Sequence, residues 1–318
     1  MKIGIAAENR PMEKRVILHP EELHPLTHRH EVLVESGAGL GVGILDAQYA
    51  VAGCKIARRE KVYAADLVIR IKEPVPEEVR LLKPGAILMS MMHLRCAPVL
   101  ERGLIRQKVI AVPLENIKDA LGRRIVEAVQ ETGRIGMDFA FKLWGRDPAK
   151  AKVKIMGYGN VAEGAIRSAM EKSASVEILN RRHFIRMDRH LPGTDILVDA
   201  VNRPFRRDVE KETPFVTAAM LGLLKKGSVL VDLVANPAGH APIETMRPTY
   251  MNEPYYIVNG IYHTALWGWP AMDPLNISKR YSLQMAPLVR AIADHGLDKA
   301  PLSVRNAVIR LDEGERVV

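Results

Sequence analysis

The sequence predicts an α/β protein of two domains, each built on a parallel β-sheet covered by helices. Three observations carry this. Short apolar, β-rich runs alternate with helical stretches through the first third of the chain, and a second such series begins near residue 150. A long helical pattern separates the two series. A glycine-rich turn opens the second series directly after a strand. Alternation of this kind packs parallel strands into one sheet with both faces covered, and 318 residues suffice for two ordinary cores.

In chain order, "KIGIAA" and "HEVLVE" read as strands, and "DLVIRIK" and "GAILMSMM" as longer buried strands. The stretches "PEEVRLL" and "PVLERGLIRQ" read as helices, and "VIAVPL" as a further strand. From about 125 to 146, "VEAVQETGRIGMDFAFKLWG" has apolar residues at helical spacing and little turn chemistry, which predicts a long helix linking two domains. "RDPAKAK" punctuates the chain, and strands are expected at 153–157, 175–179, 195–200, 228–234 and 255–259. "LWGWPAMDPLN" reads as an irregular loop and "ISKRYSLQMAPLVRAIADHG" as a terminal helix. Residues 1–130 with 270–318 are expected to form one domain and 131–269 the other.

Composition is 47% hydrophobic and 26% charged, without a membrane-length apolar run or a signal-peptide core. Cys54 and Cys96 are isolated and fit no disulfide or metal framework, so a reducing cytoplasmic setting is the expectation. The net charge of +9 is partly local: Arg181, Arg182, Arg186, Arg189, Arg203, Arg206 and Arg207 crowd one region. Few aromatics interleave them, which argues against nucleic acid and for a phosphorylated cofactor.

"VKIMGYGNVAEG" places Gly157-x-Gly159-x-x-Ala162 between a strand and a helix. The first glycine permits the tight turn, the second lets the backbone approach a pyrophosphate, and the small third residue permits close helix packing. The helix beginning near Val161, just after Asn160, offers its N–H groups to phosphates. A second run, "ESGAGLGVG" at 35–43, is followed by a poor phosphate-facing helix and reads as a flexible loop. Asn180 lies where the acidic ribose ligand is expected after Gly157. A carboxylate there would repel a 2′-phosphate; Asn180 removes the charge, and Arg181 and Arg182 suit the phosphate. The pattern asks for NADP(H) rather than NAD(H); a solvated basic loop is the plainer alternative.

Ligands of parallel sheets collect at the carboxyl ends of strands. There the first series carries Lys72 and His93, with Arg15 following the first strand. Arg15 and Lys72 suit a carboxylate, and His93 suits proton exchange near neutral pH; solvated or structural roles are the alternative. His19, His24, His28 and His30 crowd "HPEELHPLTHRH", which reads as a polar surface helix with no metal site.

"MKIGIAAENRPMEKRVILHPEEL", "VLVESGAGLGVGILDAQYAVAGCKI", "ADLVIRIKEPVPEEVRLLKPGAIL" and "KGSVLVDLVAN" together resemble the alanine dehydrogenase and pyridine-nucleotide transhydrogenase superfamily over most of residues 1–240. "VKIMGYGNVAEGAIRSAMEKSASVEILNRR" is similar to its carboxyethylornithine synthase branch, which joins pyruvate to an amino acid's side-chain amine with NADPH. The resemblance implies two Rossmann-like domains with a cleft between them, and a homo-oligomer. It also implies Arg15 and Lys72 on the oxo-acid carboxylate, His93 as catalytic histidine, and Gly157, Gly159 and Ala162 at the pyrophosphate.

Two departures matter. Relatives place an Asp two residues before a Gly-rich turn, where "VDLVANPAG" has Asn236. Relatives also have a shorter loop where "NGIYHTALWGWPAMDPLN" stands, so either His263, Trp267 and Trp269 line an enlarged pocket or the two tryptophans pack the domain junction. The implied reaction is NADPH-dependent condensation of a 2-oxo acid with an amino-acid amine, giving an opine-like secondary amine. An alanine dehydrogenase-like reaction with ammonia, a saccharopine dehydrogenase-like reaction and a non-catalytic NADP(H) sensor are the alternatives.

Overall fold

A computed structural model describes residues 1–203, 212–236 and 239–310. Arg206 and Arg207 of the basic cluster lie outside the described residues. The chain divides into two compact units, residues 1–127 with 273–318, and 128–272.

The first unit opens with β1 (Lys2–Ile5), α1 (Pro20–Thr27), β2 (Glu31–Glu35), α2 (Asp46–Val51), β3 (Lys55–Ala57), α3 (Arg59–Tyr63) and β4 (Leu67–Lys72). It continues through α4 (Pro76–Val79), β5 (Ile87–Met91), α5 (Pro98–Arg106) and β6 (Ile110–Pro113). The second unit holds α6 (Val129–Trp144), β7 (Lys152–Met156), α7 (Asn160–Glu171), β8 (Ser175–Leu179), α8 (Arg181–Phe184) and α9 (Met187–His190). It closes with β9 (Ile196–Asp199), β10 (Val229–Asp232), β11 (Tyr256–Val258) and β12 (Ile261–Thr264). The chain then returns to the first unit with α10 (Pro274–His295), α11 (Leu302–Arg305) and β13 (Ile309–Arg310).

The first sheet has the order β13-β6-β5-β4-β1-β2-β3, parallel except where β13 meets β6. The second has the order β11-β12-β10-β9-β7-β8, parallel except where β11 meets β12. Strand order reverses between β1 and β4 in one sheet and between β7 and β9 in the other; ligands of such sheets sit outside the carboxyl ends at those points. The central strands are near-continuous apolar runs: Leu67, Val68, Ile69 and Ile71 of β4, and Val229, Leu230 and Val231 of β10, are wholly buried, as strands covered on both faces require.

In the second unit, α6 and α7 meet at glycines. A Cβ on Gly133 would stand 2.0 Å from the Val161 carbonyl oxygen, and one on Gly164 would stand 1.9 Å from that of Gln130. The long helix predicted over 125–146 begins only at Val129, after Ala128 in an irregular conformation. The glycine run at 35–43 is a packed turn rather than a flexible loop. A Cβ on Gly41 would lie 2.3 Å from the Lys14 carbonyl oxygen, so these glycines let the segment before Arg15 lie close. α1 is not polar throughout, because Pro20, Leu23 and Leu26 are buried and His19, just before it, is 7% exposed.

Candidate active site

In the first unit the ends of β1, β4 and β5 assemble one basic set. Glu8, just past β1, accepts the backbone N–H groups of Ile71 at 2.6 Å and Lys72 at 3.2 Å, which ties the β1 and β4 tips together. Beneath it the buried Arg70 guanidinium donates to Glu78 at 2.6 Å and to Asn9 at 3.0 Å, and also to the Tyr63 hydroxyl. This network sets the tip from which Lys72 projects.

Burial, then the neighbouring Arg15 guanidinium, draws the Lys72 ammonium down to about 8, with Glu13 opposing. Arg15 is 2% exposed and makes a two-point contact with Glu13, Nε to Oε1 at 2.7 Å and Nη2 to Oε2 at 2.6 Å. Burial works against an ionised Glu13, but Arg15 and Lys72 together hold its carboxyl below the ordinary value. Arg10 and Glu8 also act on Lys72, and the cations Arg15 and Lys72 are the groups suited to gripping a carboxylate. The Arg15 guanidinium lies over the Tyr281 ring, 5.7 Å from its centroid.

His93 follows β5 in the left-handed region, with φ 46°. Glu115, after β6, holds it there by accepting the N–H of His93 at 2.6 Å and that of Met92 at 3.2 Å. The same carboxylate stands 3.8 Å from His93 Nδ1. Burial lowers the imidazole pKa; Glu115 raises it, and Lys72 and Arg124 lower it further, with a net fall. The ring is therefore neutral near pH 7 and able to accept a proton. Glu13 and Glu115 were not singled out by sequence. Glu13 lies two residues from Arg15, a readable signal, whereas Glu115 reaches His93 only because β5 and β6 are sheet neighbours.

In the second unit, Gly157 follows β7 with φ 97°, and a Cβ there would stand 3.1 Å from the Ala200 carbonyl oxygen. Nothing lies within 4 Å of the Cβ position at Gly159, so its backbone stands open. Gly159 caps α7 without a side chain, Asn160 and Val161 form its first turn, and Ala162 is wholly buried. The arrangement presents helix N–H groups to an anion such as a diphosphate.

At the tip of β8, Asn180 caps α8. Its Oδ1 accepts the Arg182 N–H at 3.0 Å, and its own N–H donates to His183 Nδ1 at 2.9 Å. Asn180, Arg181 and Arg182 are exposed. Neither arginine has an ion-pair partner among the described residues, whereas nearby Arg186 pairs with Asp188 at 2.8 Å.

Asn236 is 3% exposed, and its Nδ2 donates to the Val201 carbonyl at 3.4 Å. Asp232, wholly buried at the β10 tip, accepts the N–H groups of Val234 at 2.7 Å, Ala235 at 2.8 Å and Asn236 at 3.1 Å, which gives it an organising role in this turn. Burial raises Asp232 to about 6. Asp199, its in-register neighbour on β9, is pushed well above the ordinary carboxyl range by burial and by Asp232. Trp269 and His263 pack rather than line an opening. Trp269, 2% exposed, donates Nε1–H to the Asp232 carbonyl at 2.9 Å; His263, wholly buried, meets Thr245 Oγ1 at 2.8 Å through Nε2. Trp267 is half-buried.

No helix among the described residues is long and apolar enough to cross a membrane. Residues 4–132 match the family model for the N-terminal domain of alanine dehydrogenase/PNT, and residues 183–311 match its C-terminal domain. The chain is 29% identical over 337 aligned positions to alanine dehydrogenase 2 of Staphylococcus aureus (strain Mu50 / ATCC 700699), covering 94% of this chain and 89% of that one. Among solved structures, an L-alanine dehydrogenase superposes with a TM-score of 0.87 at 24% identity, covering 98% of this chain and 96% of the other. A transhydrogenase from Sinorhizobium meliloti superposes with a TM-score of 0.80 at 20% identity, covering 98% and 99%; these two share the fold. With both domain models matched in order along most of its length, the chain belongs to the alanine dehydrogenase/PNT family of oxidoreductases.

Proposed function

We propose that the chain is an NADPH-dependent oxidoreductase that condenses a 2-oxo acid, pyruvate-like, with the amine of an amino acid and reduces the product to an opine-like secondary amine. The tip of β8 carries this reading. It offers no carboxylate for a ribose, and its two exposed arginines lack ion-pair partners among the described residues, which fits a 2′-phosphate. Gly157, Gly159, Asn160, Val161 and Ala162 fit the diphosphate. The second unit is thus assigned to NADP(H) and the first to the substrate.

Arg15 and Lys72 hold the oxo-acid carboxylate, with Glu13 fixing the guanidinium. The amine adds to the carbonyl carbon and water leaves; the neutral His93 imidazole takes up and returns the protons. When bound, NADPH supplies the hydride that completes the C–H bond at the former carbonyl carbon. In balance, oxo acid, amine, NADPH and one proton give secondary amine, water and NADP⁺. Asn236 offers a hydrogen bond without charge or basicity, which supports an amine chemistry other than simple deamination of alanine. Similarity to alanine dehydrogenases favours a second reading in which ammonia is the amine.

The test is NADPH oxidation, beside NADH, with a panel of 2-oxo acids, each with ammonia and then with lysine, ornithine and other amines. Consumption that requires both an oxo acid and a primary amine supports the proposal. Ammonia sufficing selects the second reading, and binding of NADPH without any consumption selects a sensor.

A further inference from the structure

We propose that His19, Glu21 and Glu22 form a binding site for a first-row divalent transition-metal ion at the start of α1. One ring nitrogen of His19 and one carboxylate oxygen from each glutamate lie within 4.8 Å of one another. Bonds of roughly 2.0–2.2 Å need the donors about an ångström closer, a movement open to Glu21, which is exposed.

Acidic residues in the first turn of a helix are ordinary, since they complement its positive end. The histidine is not explained that way. His19 stands at the cap position of α1 without capping it, is 7% exposed, and its Nε2 has no hydrogen-bond partner. A buried imidazole nitrogen left unpaired is costly, and a ligand is one remedy.

The surroundings are ordered as an outer shell would be. Ser282 on α10 accepts the backbone N–H of His19 at 2.7 Å and donates its hydroxyl to Glu22 Oε2 at 2.6 Å, which fixes the backbone of one ligand and the carboxylate of another. One turn earlier on α10, Ser278 accepts the Val16 N–H at 3.0 Å, so the segment between Arg15 and the site is fixed at both ends. A neutral imidazole with two carboxylates balances the charge of a divalent ion. The nitrogen donor favours zinc, cobalt or nickel over calcium, magnesium or manganese, which prefer oxygen. Lys279, whose charge also reaches His19, is the competing cation.

The experiment uses the full chain, stripped with EDTA, exposed to ZnCl2 and desalted, with zinc measured by mass spectrometry. One zinc per chain is expected, with a melting temperature raised by zinc and returned by EDTA, and with cobalt giving a tetrahedral visible spectrum. Glu21→Gln and His19→Ala should each lower zinc retention by about tenfold or more, while His28→Ala, an exposed histidine at the far end of the helix, should not. Glu21→Gln alters an exposed side chain and decides the matter if His19→Ala misfolds. No retained zinc, retention unchanged in Glu21→Gln, or equal loss in His28→Ala overturns the site and leaves Lys279 as its counterion.

Discussion

Burial beside Arg15 leaves the Lys72 ammonium titrating at about 8. A carboxylate grip that needs its charge is therefore complete below that pH and lost above it. The kcat/KM for the oxo acid is expected to fall roughly tenfold per pH unit above that point, with NADPH affinity flat across the same range. For His93 the depressed pKa keeps the proton-accepting form populated at neutral pH. His93→Ala should cut turnover by roughly 10² to 10⁴ while NADPH affinity is retained; unchanged turnover removes His93 from the mechanism. Glu115 is a positioning residue that also raises the His93 pKa. Glu115→Gln should move the acid limb of the kcat profile to lower pH, a shift that a merely structural role would not produce. Arg15, Lys72 and His93 were legible as basic residues at strand ends. The pairing of Arg15 with Glu13 was not, because a charge's partner depends on how the strap after β1 folds back.

Among the elements, the α6–α7 contact depends on two glycines facing each other's backbone. Gly133→Ala or Gly164→Ala would set a methyl against a carbonyl oxygen and should destabilise the second unit by roughly 1–3 kcal/mol, read by thermal unfolding. The tips of β9 and β10 carry the opposite kind of tension, two adjacent buried carboxyls. With both pKa values above the ordinary carboxyl, the folded unit binds protons that the unfolded chain would release. Each carboxyl's contribution is thus fully present below the unfolded carboxyl range; that of Asp232 is lost as pH rises through about 6, and that of Asp199 as pH rises past its own raised value. Asp199→Asn keeps an acceptor for the Val201 N–H, now at 2.9 Å, and removes the conflict. It should raise the melting temperature at pH 8 by roughly 2–4 °C, with the gain shrinking at pH 5; equal stability at both pH values would count against the account. At the tip of β8, replacing Arg181 and Arg182 by Ala should reduce the preference for NADPH over NADH by about 10–100-fold, the loss expected of one or two charge-assisted bonds.

For the whole molecule, ligand linkage offers a direct check on the cofactor. NADPH at about a hundred times its Kd should stabilise the chain by about 2.7 kcal/mol, while NADH at the same concentration should do markedly less. Equal shifts would mean that the basic β8 tip reads no phosphate. The sequence by itself determined the α/β class, the two strand series, the glycine turn at Gly157 and the basic strand tips. These are written in local periodicity, turn chemistry and spacing, which survive without tertiary context. It did not determine what the glycines at 35–43 or the tryptophan at 269 were for. A glycine run reads as a flexible loop in sequence, and only the packing of Gly41 on Lys14 made it a packed turn. Tertiary structure alone likewise brought Glu115 under His93, set Asp199 beside Asp232 and buried His19 against α10 next to two glutamates. Each joins residues through sheet order or helix docking, and the electrostatics of a buried group belong to its neighbours in space rather than in the chain.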